Sequence, residues 1–172
     1  MFLRRVCKVL AVGLTVLGAA AVMAPGCIPD GDHHPAANTF RATHVGPAPL
    51  TIYKASSTAS VWISFNRGVD LNTLTAVGAM RFDLRDLNTG QFHANVPCKF
   101  MHTNDNKGIT AITFPTVGAM LNTAQQGHKV RCEITIHGAL VRDQAGHQLD
   151  GKGNGHPGSD FHGSCEITLT GP

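Results

Sequence analysis

This sequence predicts an all-β fold, an antiparallel sandwich of about seven strands, on three observations. From Leu50 onward the apolar residues recur with a period of two rather than 3.6. Clusters of Asn, Asp and Gly separate the alternating runs and supply turn chemistry. With 19 glycines and 9 prolines the chain suits many short elements better than long helices.

The elements follow in order. A weak strand is expected near Leu50 to Tyr53. Val61, Ile63 and Phe65 share one face of the next strand. Asp70 to Leu74 reads as one helical turn, with Asp70 as the cap and Leu71 and Leu74 facing inward. Met80, Phe82 and Leu84 alternate with Arg81, Asp83 and Arg85. Phe92, Ala94, Val96, Cys98 and Phe100 form one long alternating run. Ile112 and Phe114 mark a short strand. Val130, Cys132, Ile134 and Ile136 mark another, and Cys165, Ile167 and Leu169 the last. Each strand has one apolar and one polar face, so two sheets must cover each other.

Several stretches resemble the bacterial immunoglobulin-like (Ig-like) domains of the S-layer type. Val61-Trp62-Ile63-Ser64-Phe65-Asn66-Arg67-Gly68-Val69-Asp70 is similar to their opening "V-x-V-x-F-S-x-x-V-D". Phe82-Asp83-Leu84-Arg85-Asp86 with Thr89-Gly90 resembles the following strand and turn, and Ile109 to Pro115 a "T-A-T-F-x-P" strand. Val130 to Ile136 and then Leu140 to Gly151 resemble "Y-x-V-x-I-x-G-x-x-D-x-x-G-N-x-L-D-G", with His147 at the usual Asn. The resemblance implies an Ig-like β-sandwich serving as a spacer or adhesion-type module on an exported protein. A non-enzymatic surface interaction or structural module is the function it leads us to expect.

The N-terminus carries an address. Arg4, Arg5 and Lys8 form a basic start, and Val9 to Met23 is apolar and uncharged. That run is shorter than the roughly 20 residues a spanning helix needs and has the length of a signal-peptide core. Ala24-Pro25-Gly26-Cys27 follows and resembles the lipobox of bacterial lipoproteins. Residues 1–26 are therefore expected to be a signal peptide, with lipid on Cys27 anchoring the protein to a membrane. Ile28, not Asp, after the cysteine points by analogy to the outer membrane of a diderm. Plain secretion after Ala19-Ala20-Ala21 is the alternative, in which Cys27 carries no lipid.

Residues 27–49 hold four prolines and no sustained period, which predicts a flexible tether, and residues 50–172 the folded domain. His33-His34 with Asp30 and Asp32 in that tether read as solvated linker rather than a metal site. Three of the 14 basic residues sit in the leader, so the mature chain balances 11 basic against 11 acidic residues. No retained basic patch offers itself to nucleic acid.

The most chemically suggestive segment runs from Asp150 to Asp160. It approximates a D-x-[DN]-x-[DN]-G calcium loop, with Asp150, Asn154, the His156 carbonyl and Asp160 as ligands. Lys152 and Phe161 stand where acidic ligands belong, so calcium affinity should be poor, and a Gly-rich loop closed by turn hydrogen bonds of Asp150 and Asp160 is the favoured reading. His147, His156 and His162 surround the same loop in no closed zinc spacing.

Cys98, Cys132 and Cys165 all fall in the inward phase of their strands. An oxidising compartment permits one disulfide. Either Cys98–Cys132 or Cys132–Cys165 closes a loop of about 30 residues, worth roughly 3–4 kcal/mol in the chain-entropy model. A pin between facing sheets, as in Ig domains, makes Cys98–Cys132 the expected pair, with three buried thiols as the alternative. No nucleophile elbow, metalloprotease helix, P-loop or dinucleotide fingerprint occurs, and no catalytic residue is assigned. A carbohydrate-binding module would need exposed aromatics, and Trp62, opposite the Val61/Ile63/Phe65 face, is the candidate.

Overall fold

The alternating runs pair into two four-stranded antiparallel sheets, seen in a computed structural model that describes residues 39–48 and 53–170. The strands are β1 (Ala42–Pro47), β2 (Thr58–Phe65), β3 (Met80–Asp86), β4 (Phe92–His93), β5 (Cys98–His102), β6 (Gly108–Thr116), β7 (Lys129–Ile136) and β8 (Phe161–Thr168). Two single-turn helices, α1 (Leu71–Leu74) and α2 (Val117–Met120), join them. One sheet has the order β1-β2-β6-β5 and the other β4-β3-β7-β8. The predicted all-β sandwich is what forms.

The core lies between the sheets. Val61, Ile63 and Phe65 from β2 and Ile109 and Ala111 from β6 meet Phe82, Leu84, Val130, Cys132, Ile134 and Ile136 from the facing sheet. Phe40 stacks on Phe65 with ring centroids 5.6 Å apart. α1 is capped as its sequence requires, the Asp70 carboxylate accepting from Asn72 N at 3.0 Å while Leu74 is buried.

Four expectations are corrected. The tether assigned to residues 27–49 ends early, because β1 lies within it and pairs with β2 through Val45↔Ile63 and Gly46↔Trp62. Phe40 is already in the core, and Asp150 N donates to its carbonyl at 2.7 Å. β1 shows no alternation because it is an edge strand, irregular between Ala42 and His44 and ending in Pro47. The weak strand near Leu50 to Tyr53 is not found at Tyr53, which is buried outside any strand; residues 50–52 lie outside the described ones.

The long run from Phe92 to Phe100 is two strands in different sheets. Asn95 adopts φ 53°, and Pro97 has no N–H to continue a ladder. Asn95 N donates instead to Asp83 Oδ1 at 2.9 Å, and Val96 N to the Phe82 carbonyl at 2.8 Å, as the chain crosses over. Phe92 therefore ends outside the core, with the Arg85 guanidinium 4.6 Å above its ring. Finally, β6 buries the opposite face from the one expected. Ile109, Ala111 and Thr113 point inward, leaving Ile112 and Phe114 outside.

Candidate interaction face

The reversed phase of β6 gives the β1-β2-β6-β5 sheet an outer face unlike that of its partner. Across its middle run Gly46, Trp62, Thr110 and Met101 as register neighbours. The next row holds Ser60, Ile112 and Lys99, and Phe114 follows along β6. Met101 is 60% exposed and Phe114 61%, so both leave apolar surface in water on one side of one sheet.

Two rings pack against glycines on this face. A Cβ on Gly108 would collide with the six-membered ring of Trp62, so the indole rests directly on the Gly108 backbone. Trp62 Nε1 donates to Ser64 Oγ at 2.7 Å, which ties the edge of the indole to its own strand. His44 covers Gly46 in the same way, its Nε2 standing 2.7 Å from where a Cβ would be. Both glycines are needed for close approach, and Trp62 stays only half-buried. Sequence reasoning found Trp62 but missed Met101, Ile112 and Phe114. The available signal was that β6 carries apolar residues in both phases, Ile109/Ala111 and Ile112/Phe114.

The outer face of the other sheet is a ladder of charges. Arg81 pairs with Asp83 at 2.8 Å and Arg131 with Glu166 at 2.9 Å. Arg85 reaches Glu133 at 3.9 Å, beside a shallow cleft of about 290 Å³ that also borders Thr135, His162 and Ser164. Between the sheets, on the side of β3 and β5, opens a groove of about 490 Å³ lined by Leu74, Val77, Met80, Phe82, Val96 and Phe100.

The segment that approximates a calcium loop is closed by turn hydrogen bonds of the chain itself. Asp150 is fully buried and accepts from Gly155 N at 2.7 Å, Asn154 N at 3.2 Å and Ser159 Oγ at 3.3 Å. Burial works to raise its pKa, but these hydrogen bonds and one from the Thr39 side chain outweigh it and hold the carboxyl below the usual range. Asn154 Oδ1 is taken by His156 N at 3.2 Å. Asp160 faces away to other partners, accepting from Gly138 N at 3.0 Å and His137 Nδ1 at 3.1 Å. The four expected ligands Asp150, Asn154, His156 and Asp160 thus do not converge on one point. His147 sits 3.0 Å from Asp143, and His162 3.2 Å from Thr135 Oγ1. Among the described residues no group of three or more His, Cys, Asp or Glu side chains is placed to hold a metal ion.

The expected Cys98–Cys132 bridge is not formed: Cys98, Cys132 and Cys165 are free thiols. Cys98 donates to the Val96 carbonyl at 3.4 Å, and burial pushes its pKa up to about 12. The segment expected to be a signal peptide (residues 1–26), Cys27, and the pairs Asp30/Asp32 and His33/His34 lie outside the described residues. No helix among the described residues is long and apolar enough to cross a membrane.

No family model matches the chain, and no curated protein is similar to it. Among solved structures, two of the bacterial S-layer protein SbsC, one of them its N-terminal part, each align over 78% of this chain at 16% identity and a TM-score of 0.42. The aligned part spans 14% and 24% of those chains. PcoC, a methionine-rich copper resistance protein from Escherichia coli, aligns over 77% of this chain and 99% of its own at 8% identity and a TM-score of 0.37. Likeness at this level carries no functional weight.

Proposed function

We propose that this chain is a non-enzymatic cell-envelope lipoprotein, anchored through Cys27, whose sandwich presents the Trp62/Met101/Phe114 face as an interaction surface. The observation that carries the reading is the contrast between the two outer faces. One is a ladder of paired charges on which Arg85 covers the Phe92 ring; the other leaves Met101 and Phe114 more than half exposed on the same face as a half-buried Trp62. Apolar side chains gathered on one sheet face are surface that a partner covers. The leader supports the envelope address, since a basic start and an apolar run end in Gly26-Cys27.

Photo-crosslinking on intact cells tests the surface. A photoreactive residue at Met101 should give a discrete crosslinked partner, and one at Glu166 on the charged face should not. Equal labelling from both positions removes the reading. Intact mass from the membrane fraction tests the anchor, which requires residues 27–172 plus acyl chains; a lipid-free protein found only in the medium overturns it.

A second reading has its own observation. The Trp62 indole packs against Gly108, half-buried, with Gly46 and Thr110 as its register neighbours, and an accessible aromatic face is what a sugar ring stacks on. Because Trp62 is the sole tryptophan, its fluorescence reports this site alone. Saturable quenching by cell-wall glycan fragments supports a carbohydrate-binding module, and an unchanged spectrum discards it.

A further inference from the structure

The three thiols left free differ in what surrounds them. Cys132 on β7 and Cys165 on β8 are register partners, directly opposite each other in the antiparallel pair. Opposed residues point to the same face, and here that face is the core, with Cys132 fully buried and Cys165 half-buried. Directly opposed residues hold their Cα atoms about 4.5–5.5 Å apart. A disulfide accepts about 4.4–6.8 Å. Cys98 lies in the other sheet with its thiol turned to the Val96 carbonyl of its own segment. A bond from Cys98 must cross the core and give up that hydrogen bond.

We propose that Cys132 and Cys165 are the disulfide-forming pair of this domain, with Cys98 remaining a thiol. The oxidant is a second disulfide, either that of a thiol–disulfide oxidoreductase or oxidised glutathione. The Cys165 thiolate attacks one sulfur of that disulfide, expelling the first thiolate and leaving a mixed disulfide on Cys165. Cys132 gives up its proton and attacks Cys165 Sγ, expelling the second thiolate. Two protein thiols are oxidised, one disulfide is reduced, and the two protons end on the two released thiols. The order follows from the surroundings. Cys165 is the more exposed, and the hydrogen bond with Cys132 lowers its pKa, whereas that same bond and burial raise the pKa of Cys132. The bond staples the β7–β8 ladder at the side of the sheet where β8 has no further neighbour.

The proposal stands on strand register and is independent of where the cell keeps the protein. The test therefore oxidises the purified full-length protein with excess oxidised glutathione. The reaction is quenched in acid, free thiols are alkylated in denaturant, and the chain is digested with trypsin without reduction. The three cysteines fall in separate tryptic peptides, 86–99, 132–142 and 153–172. The expected product joins 132–142 to 153–172, two hydrogens lighter than their sum, with 86–99 alkylated. Peptide 86–99 joined to either of the others, or all three peptides alkylated, overturns the proposal. Cys98→Ser removes the competing pairing and is expected to leave the joined product at full yield. Loss of that product in a Cys98→Ser protein that still melts cooperatively overturns it too.

Discussion

Asp150→Asn separates a loop held by its own backbone from a loop that needs calcium. The carboxylate is fully buried and accepts from two backbone amides, the Ser159 hydroxyl and Thr39. An amide in the same place keeps one acceptor and turns an NH₂ group toward donors. At least one backbone donor, Gly155 N or Asn154 N, then loses its partner. An unsatisfied buried donor costs about 1–3 kcal/mol. The loop is only partly buried around Asn154 and Gly155, so the low end applies, and the total is about 1–2 kcal/mol. For a domain of this size that lowers Tm by roughly 5 °C. Thermal melts followed by circular dichroism at pH 7 measure it. The wild-type melt should be the same with millimolar calcium as with a chelator. A site filled to 100 times its Kd would add about 2.7 kcal/mol instead. An Asp150→Asn protein that melts with the wild type refutes the hydrogen-bond argument, and a calcium-dependent rise in the wild-type Tm refutes the self-closed loop.

Acid should unfold the domain through its hydrogen-bonded carboxylates. Asp86, Asp143, Asp150 and Asp160 are all held below the usual range, because hydrogen bonds outweigh the opposing effect of burial. The unfolded chain then binds more protons than the folded one once pH falls through about 4, so stability is present above that value and lost below it; a urea midpoint that holds to pH 3 contradicts this. Gly108→Ala places a methyl group inside the Trp62 ring, and the strain should cost about 1–3 kcal/mol. The displaced indole should also become more accessible to acrylamide, and unchanged quenching means it does not rest on Gly108. Replacing Met101 and Phe114 together by Ser should move stability by no more than about 0.5 kcal/mol each while abolishing the crosslink formed from a photoreactive residue placed at Lys99 on the same face. A folded double variant that retains its partner refutes the proposed surface.

The strands that alternate cleanly were legible because burial on one face writes period two into the sequence. Val61/Ile63/Phe65, Phe82/Leu84 and Val130/Cys132/Ile134/Ile136 all point inward as their pattern requires. β1 was not legible, because its ladder contacts are made by backbone and its Ala-Thr-His-Val-Gly-Pro carries little apolar signal. β6 misled for the opposite reason, since both phases are apolar and only the facing sheet decides which is covered. The candidate face is the result of that choice: what local pattern assigned to the core became the exposed surface.

The tetrapeptide Val-Gly-Ala-Met occurs twice and makes the limit concrete. At 117–120 it is α2, capped by Thr116, with Val117 buried. At 77–80 it turns through Gly78 at φ 80° into β3, with Val77 fully exposed. Alone, the sequence determined the sandwich class, the strands with one apolar face and the α1 cap, because those follow from composition and nearest neighbours along the chain. Tertiary structure decided which sheet each strand joins, which face of β6 meets water, where the Asp150 carboxylate finds its donors and which thiols are neighbours. Those depend on contacts between segments far apart in sequence, and the free energy of such contacts has no local signature.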